Sequence, residues 1–110
     1  MTDRSACFVV LYRWKLRAGA EASFVEGWSR ISRLLLEQRG SLGSRLHCGS
    51  DGLWYSYAQW PSAEARSKAF AAEPVDPAAT EKMQAAIEER LPEIVLETYS
   101  DFMISVKEAR

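Results

Sequence analysis

Cysteine is scarce in this 110-residue chain. Cys7 and Cys48 are the only two, so at most one disulfide can form. With nothing else pointing to secretion, both read as reduced thiols of a cytoplasmic protein, buried as small hydrophobes rather than reactive. Long apolar runs are missing as well. The first apolar stretch, residues 6–12, ends at Arg13, short of a signal-peptide core and of the roughly 18 residues that a membrane span needs. Charge of one sign is not in excess. Fourteen Lys+Arg against fifteen Asp+Glu leave a net of −1, which argues against a nucleic-acid partner and its requirement for a basic surface. There is a single histidine, His47, and no pair of cysteines at metal spacing, no phosphate-cradling glycine loop, no dinucleotide fingerprint and no His-Glu-x-x-His. The expected cofactor and metal are therefore none.

What the chain does have is apolar mass. Hydrophobic residues make up 47% and aromatics 11%, too much to stay unfolded in water. The length fits one domain, 1–110, with a core over about residues 7–106. A core of this size is small, which favours pairing with a second copy.

The periodicity then separates the elements. Residues 7–16 are β-branched and aromatic and predict a strand. Its first half is apolar on both faces, so cover is expected on both sides: helices on one, a second subunit or a ligand on the other. From Ala20 to about Gln38 the period turns helical, with Phe24, Trp28, Ile31 and Leu35 on one stripe and Gly40 as the stop. Gly27 inside this helix implies a close approach to the sheet. Residues 44–49 and 53–60 form a hairpin around Ser50-Asp51-Gly52. Ser62 caps a short helix over 63–72, and Asp76-Pro77 starts another that runs to about Arg90, with Met83 and Ile87 inward and Pro92 as its end. Residues 94–106 read as the last strand, with a bulge near Ser100-Asp101.

The order is βαββαβ with an extra helix before the last strand, an α+β, ferredoxin-like pattern with a four-stranded antiparallel sheet. Its usual strand order puts Cys7 and Cys48 about 9.6 Å apart across the sheet, too far for a disulfide.

The strand Phe8-Val9-Val10-Leu11-Tyr12, the Phe/Trp-studded helix, Gly40-Ser41-Leu42-Gly43-Ser44 and the run Tyr57-Ala58-Gln59-Trp60-Pro61-Ser62-Ala63-Glu64-Ala65 together resemble the antibiotic biosynthesis monooxygenase family. The resemblance covers about residues 7–106. It implies a homodimeric α+β barrel with a pocket between sheet and helices in each subunit. It also implies a cofactor-independent monooxygenase that takes a small aromatic substrate, a polyphenol or quinol, with O₂. Relatives with oxygenase activity typically pair an Asn with a Trp. Trp60 matches the Trp, but the chain has no asparagine, and Ser56 stands where some relatives carry theirs. This departure keeps open a catalytically silent dimeric binding domain of the same fold. Haem degradation is a third, weaker reading, because residues 63–90 lack the histidine which that branch uses to hold iron.

The expected catalytic residues are Trp60 and His47, the latter as the one side chain that titrates near neutrality. The expected substrate-binding residues are Tyr12, Tyr57, Ser56, Phe24 and Trp28. For each tyrosine the competing role is cross-strand packing, and for Trp60, Phe24 and Trp28 it is core packing. Arg13, which interrupts an apolar strand face, is expected to pair with an acid of the other subunit at the barrel rim.

Overall fold

The computed structural model describes residues 8–104 of the chain. The elements run β1 (Phe8–Leu16), α1 (Glu21–Gln38), β2 (Gly43–Cys48), β3 (Trp54–Trp60), α2 (Ala63–Ala71), α3 (Pro77–Ala85) and β4 (Ile87–Glu97). The strands form one antiparallel sheet in the order β2-β3-β1-β4, the ferredoxin-like arrangement with one extra helix.

Local chemistry sets most of the boundaries. Gly40 adopts a φ of 82° directly after the last residues of α1, a conformation that costs side-chain-bearing residues and not glycine. The Ser62 hydroxyl accepts from the Ala65 amide and starts α2. The Asp76 carboxylate accepts from the Ala79 amide, and Pro77 occupies the first turn of α3. Arg39 then fastens α2 to the end of α1. Its guanidinium donates to the Ala69 carbonyl at 2.9 Å and the Glu73 carbonyl at 2.8 Å.

The helices lie on one face of the sheet. Phe24 of α1 is fully buried against Trp14 of β1, ring centroids 5.0 Å apart and edge-on, and meets Trp54 of β3 at 6.2 Å. Leu16, Ala86 and Ile87 complete this core, and Tyr12, Trp28, Leu46 and Met83 pack around it. Gly27 does mark a close approach, but to α3 rather than to the sheet. A Cβ there would stand 2.8 Å from the Ala79 carbonyl oxygen and 3.1 Å from the Met83 Cβ.

The C-terminal third departs from expectation. α3 stops at Ala85, and Ile87 already belongs to β4, where it pairs with Leu16 of β1. Pro92 does not end a helix; it lies inside an edge strand, where its missing N–H breaks no ladder on the open side. The expected bulge falls here instead of near Ser100-Asp101. Leu11 pairs with Ile94 but Arg13 with Leu91, so β4 advances three residues while β1 advances two. β4 ends at Glu97, and residues 98–104 are not strand; residues 105–106 of the expected strand lie outside the described part. Arg13 is committed within its own chain. Both Nε and Nη2 donate to the Pro92 carbonyl, at 3.2 and 2.8 Å, and so hold the bulge. Cys48 is exposed rather than buried, and carries a free thiol. Cys7 lies outside the described residues. Among the described residues, no helix is long and apolar enough to cross a membrane.

Candidate functional site: an aromatic wall between the sheet and α2

Alternation along paired strands sorts the side chains by face. Tyr12 of β1 pairs with Ser56 of β3, and Phe8 pairs with Trp60, so all four share one face. That face is the helix side, since the Trp28 indole of α1 donates to the Ser56 hydroxyl at 3.1 Å. Tyr12, Ser56, Trp60, Phe24 and Trp28 are therefore brought to one layer. His47 and Tyr57 are not. His47 pairs with Tyr55, and Tyr57 with Leu11, which puts both on the opposite face of the sheet from Trp60. His47 is exposed there, and the Tyr57 hydroxyl donates to Gln59 at 3.3 Å.

Two residues of α2 that were not among the expected site residues complete the layer: Arg66 and Phe70. The Arg66 guanidinium carbon lies 5.5 Å from the ring centres of both Tyr12 and Phe70. Phe70 in turn meets Trp60 edge-on at 5.7 Å. Arg66 Nη2 pairs with Glu93 of β4 at 2.8 Å. The bulge at Pro92 directly precedes Glu93, so the irregularity of the edge strand and the setting of Arg66 are linked. The available signal was spacing: Arg66, Ala69 and Phe70 fall three and four residues apart, so the arginine sits in the helix's apolar stripe.

Polar satisfaction is incomplete in this layer. The Tyr12 hydroxyl, the Trp60 indole N–H and the Arg66 Nε–H are all buried without a partner. Buried polar groups are nearly always paired; the Tyr12 hydroxyl and the Arg66 guanidinium lie close enough to serve each other, which leaves the Trp60 indole N–H as the donor of this layer with the clearest unfilled demand. Two of the three can only donate. Burial raises the Tyr12 hydroxyl above its ordinary ionisation range, although Arg66 beside it pulls the other way; the hydroxyl stays protonated at neutral pH. For Arg66, burial works against the charge, but Glu93 and Tyr12 outweigh it and the guanidinium is held charged. A separate open groove of about 390 Å³ runs along the start of α3, lined by Pro74, Pro77, Thr80 and Gln84, away from this wall. Among the described residues, no cluster of three or more His, Cys, Asp or Glu is placed to hold a metal.

No protein-family model and no curated protein matches this chain, but solved structures do. SnoaB, a cofactor-independent oxygenase from Streptomyces nogalater, superposes with a TM-score of 0.72 over 88% of this chain and 97% of its own, at 17% identity. The ActVA-Orf6 monooxygenase of Streptomyces coelicolor, solved with nanaomycin D bound, gives 0.71 over 94% and 96%, at 19% identity. A candidate antibiotic biosynthesis monooxygenase from Caulobacter crescentus gives 0.73 over 86% and 92%, at 14% identity. The chain thus has the fold of the antibiotic biosynthesis monooxygenases, one shared by several proteins named as monooxygenases.

Proposed function

We propose that the chain is a cofactor-independent monooxygenase that oxidises a small polyphenol or quinol-like aromatic with O₂, working as a homodimer. The observation that carries this reading is the Trp60 indole N–H, 1% exposed as a residue and without a partner, on an aromatic wall in a fold shared with a named cofactor-independent oxygenase. A flat substrate lies against the aromatic layer, and Trp60 and Tyr12 donate to its oxygen as that oxygen gains negative charge. An anthrone-type CH₂ then loses a proton, and the carbanion passes an electron to O₂. Recombination forms a C–O bond. Loss of water leaves a new carbonyl, so one oxygen atom enters the product and the other departs with the two hydrogens.

The dimer is supported by the exposed apolar edge of the sheet. Ile94, Val95 and Leu96 of edge strand β4 are 39%, 54% and 39% exposed, and Tyr99, Phe102, Met103 and Ile104 beyond it are more exposed still. A second copy would cover them.

Oxygen-electrode runs with 1,8-dihydroxyanthrone and a naphthol panel test the reaction. Uptake above the buffer rate is expected, falling at least tenfold in Trp60→Phe with melting still cooperative. A silent binding domain is favoured by one observation: the Glu93 carboxylate at the wall is engaged by Arg66, and His47 is on the other face. Under that reading, the same compounds raise the melting temperature while uptake stays at the buffer rate.

A further inference from the structure

We propose that α2 is a lid over the aromatic wall, released as a unit from the sheet and from the end of α1 to let a flat ligand reach Trp60. The proposal does not depend on the oxygenase reading, because any ligand of the wall meets the same obstacle. Trp60 is 1% exposed, and the ring set edge-on against it is that of Phe70, itself 51% exposed. A ligand approaching the Trp60 indole from the side of α2 therefore has to displace Phe70. The same helix holds Arg66 over the Tyr12 ring, so one movement of α2 uncovers both residues.

α2 is weakly anchored by packing. Its nine residues include no Val, Leu, Ile or Met, and Ala69 is the buried one among them. Burial of apolar area is what holds a helix against a sheet, and α2 contributes little beyond an alanine and half of a phenylalanine ring. α1, by contrast, buries Phe24 completely against Trp14 and lets α3 approach closely over Gly27. Elements with few buried apolar contacts open at lower cost than the whole molecule unfolds.

Polar ties at the two ends of α2 hold it shut instead. Near its start, Arg66 pairs with Glu93 of β4 at 2.8 Å. At its far end, Arg39 donates to the Ala69 and Glu73 carbonyls at 2.9 and 2.8 Å. The Ala69 carbonyl is one of the last four of the helix, which have no acceptor role within it. Such bonds can be exchanged for bonds to water at small net cost, whereas a packed core has no substitute in water. The flanks suit a hinge. Ser62 (φ −163°, ψ 165°) and Ala72 (φ −79°, ψ 170°) are both extended, so rotation at these two residues re-aims α2 without breaking a strand or another helix.

Hydrogen exchange of the Trp60 indole N–H in the ligand-free protein tests this, with the signal identified by its loss in Trp60→Phe. Opening a lid exposes little surface. Exchange is therefore expected to be nearly flat up to about 1 M urea, and less protected than the Val9 and Val10 amides of the central strand, whose exchange rises with urea through global unfolding. Arg39→Met keeps the stem of the side chain and removes both donors. It is expected to speed Trp60 exchange about tenfold, still with a flat urea dependence. Trp60 exchange that rises with urea in step with the Val9 and Val10 amides would overturn the proposal, since the indole would then be reached only by unfolding. A flat exchange that Arg39→Met leaves at the same rate would also overturn it, since the opening would then not be that of α2. No substrate enters this experiment, so the lid and the oxygenase reading stand or fall separately.

Discussion

At the residue scale, Ser56 and Trp28 show how a polar pair is kept inside an aromatic layer. Ser56 is 2% exposed, and its hydroxyl accepts from the Trp28 indole N–H. Ser56→Ala removes the acceptor and leaves the donor stranded, so a loss of about 1–3 kcal/mol is expected in urea unfolding. An unchanged midpoint would mean that the N–H finds another acceptor. Asp76 makes a different kind of contribution. The Arg30 guanidinium hydrogen-bonds its carboxylate, and the Ala79 amide adds to this, so its ionisation lies below the ordinary range. A depressed folded-state value stabilises the fold above the unfolded pKa and loses that contribution as pH falls through the folded one. Asp76→Asn still caps the helix but cannot ionise. Its melting temperature should therefore lie below that of the wild type at pH 6, begin to converge on it as pH falls below about 4, where the unfolded carboxyl protonates, and meet it only below the depressed folded-state value. Parallel curves down to pH 3 would remove the charge from the account.

At the element scale, the contact between α1 and α3 depends on the missing side chain of Gly27. Alanine is the better helix former by up to about 1 kcal/mol, yet its Cβ would press on the Ala79 carbonyl, a backbone atom that cannot turn aside. Overpacking of this kind costs about 1–3 kcal/mol, so Gly27→Ala should destabilise in urea, and a gain in stability would show that the helices can slide apart. Elements bounded by capping chemistry were legible in the sequence: Gly40, Ser62 and Asp76-Pro77 each sit where their local preferences put them. The α3–β4 junction was not. Met83 and Ile87 are four apart and Glu88-Glu89-Arg90 are good helix formers, so the local pattern continues a helix that pairing with β1 overrides. Pro92 carries the same lesson, since a helix stop and a bulge in an edge strand look alike without the partner strand. In the site, alternation already separated Trp60 from Tyr57, but the face occupied by His47 depended on the hairpin register. Arg66 was hidden because a charge on a short, alanine-rich helix reads as solvated.

At the scale of the whole molecule, the helices cover one face of the sheet, while β4 and the segment after it keep large apolar side chains in water. The proposed second copy accounts for that surface. Light scattering should report twice the 12.4 kDa chain mass at micromolar concentration, and a single-chain mass would leave the exposed edge unexplained. The most direct test of the account follows the oxygen atom. With 1,8-dihydroxyanthrone under ¹⁸O₂, the protein is predicted to release an anthraquinone that carries one heavy oxygen, faster than the buffer blank and at least tenfold faster than Trp60→Phe. Product formed no faster than in buffer, or carrying its new oxygen from water, would contradict it.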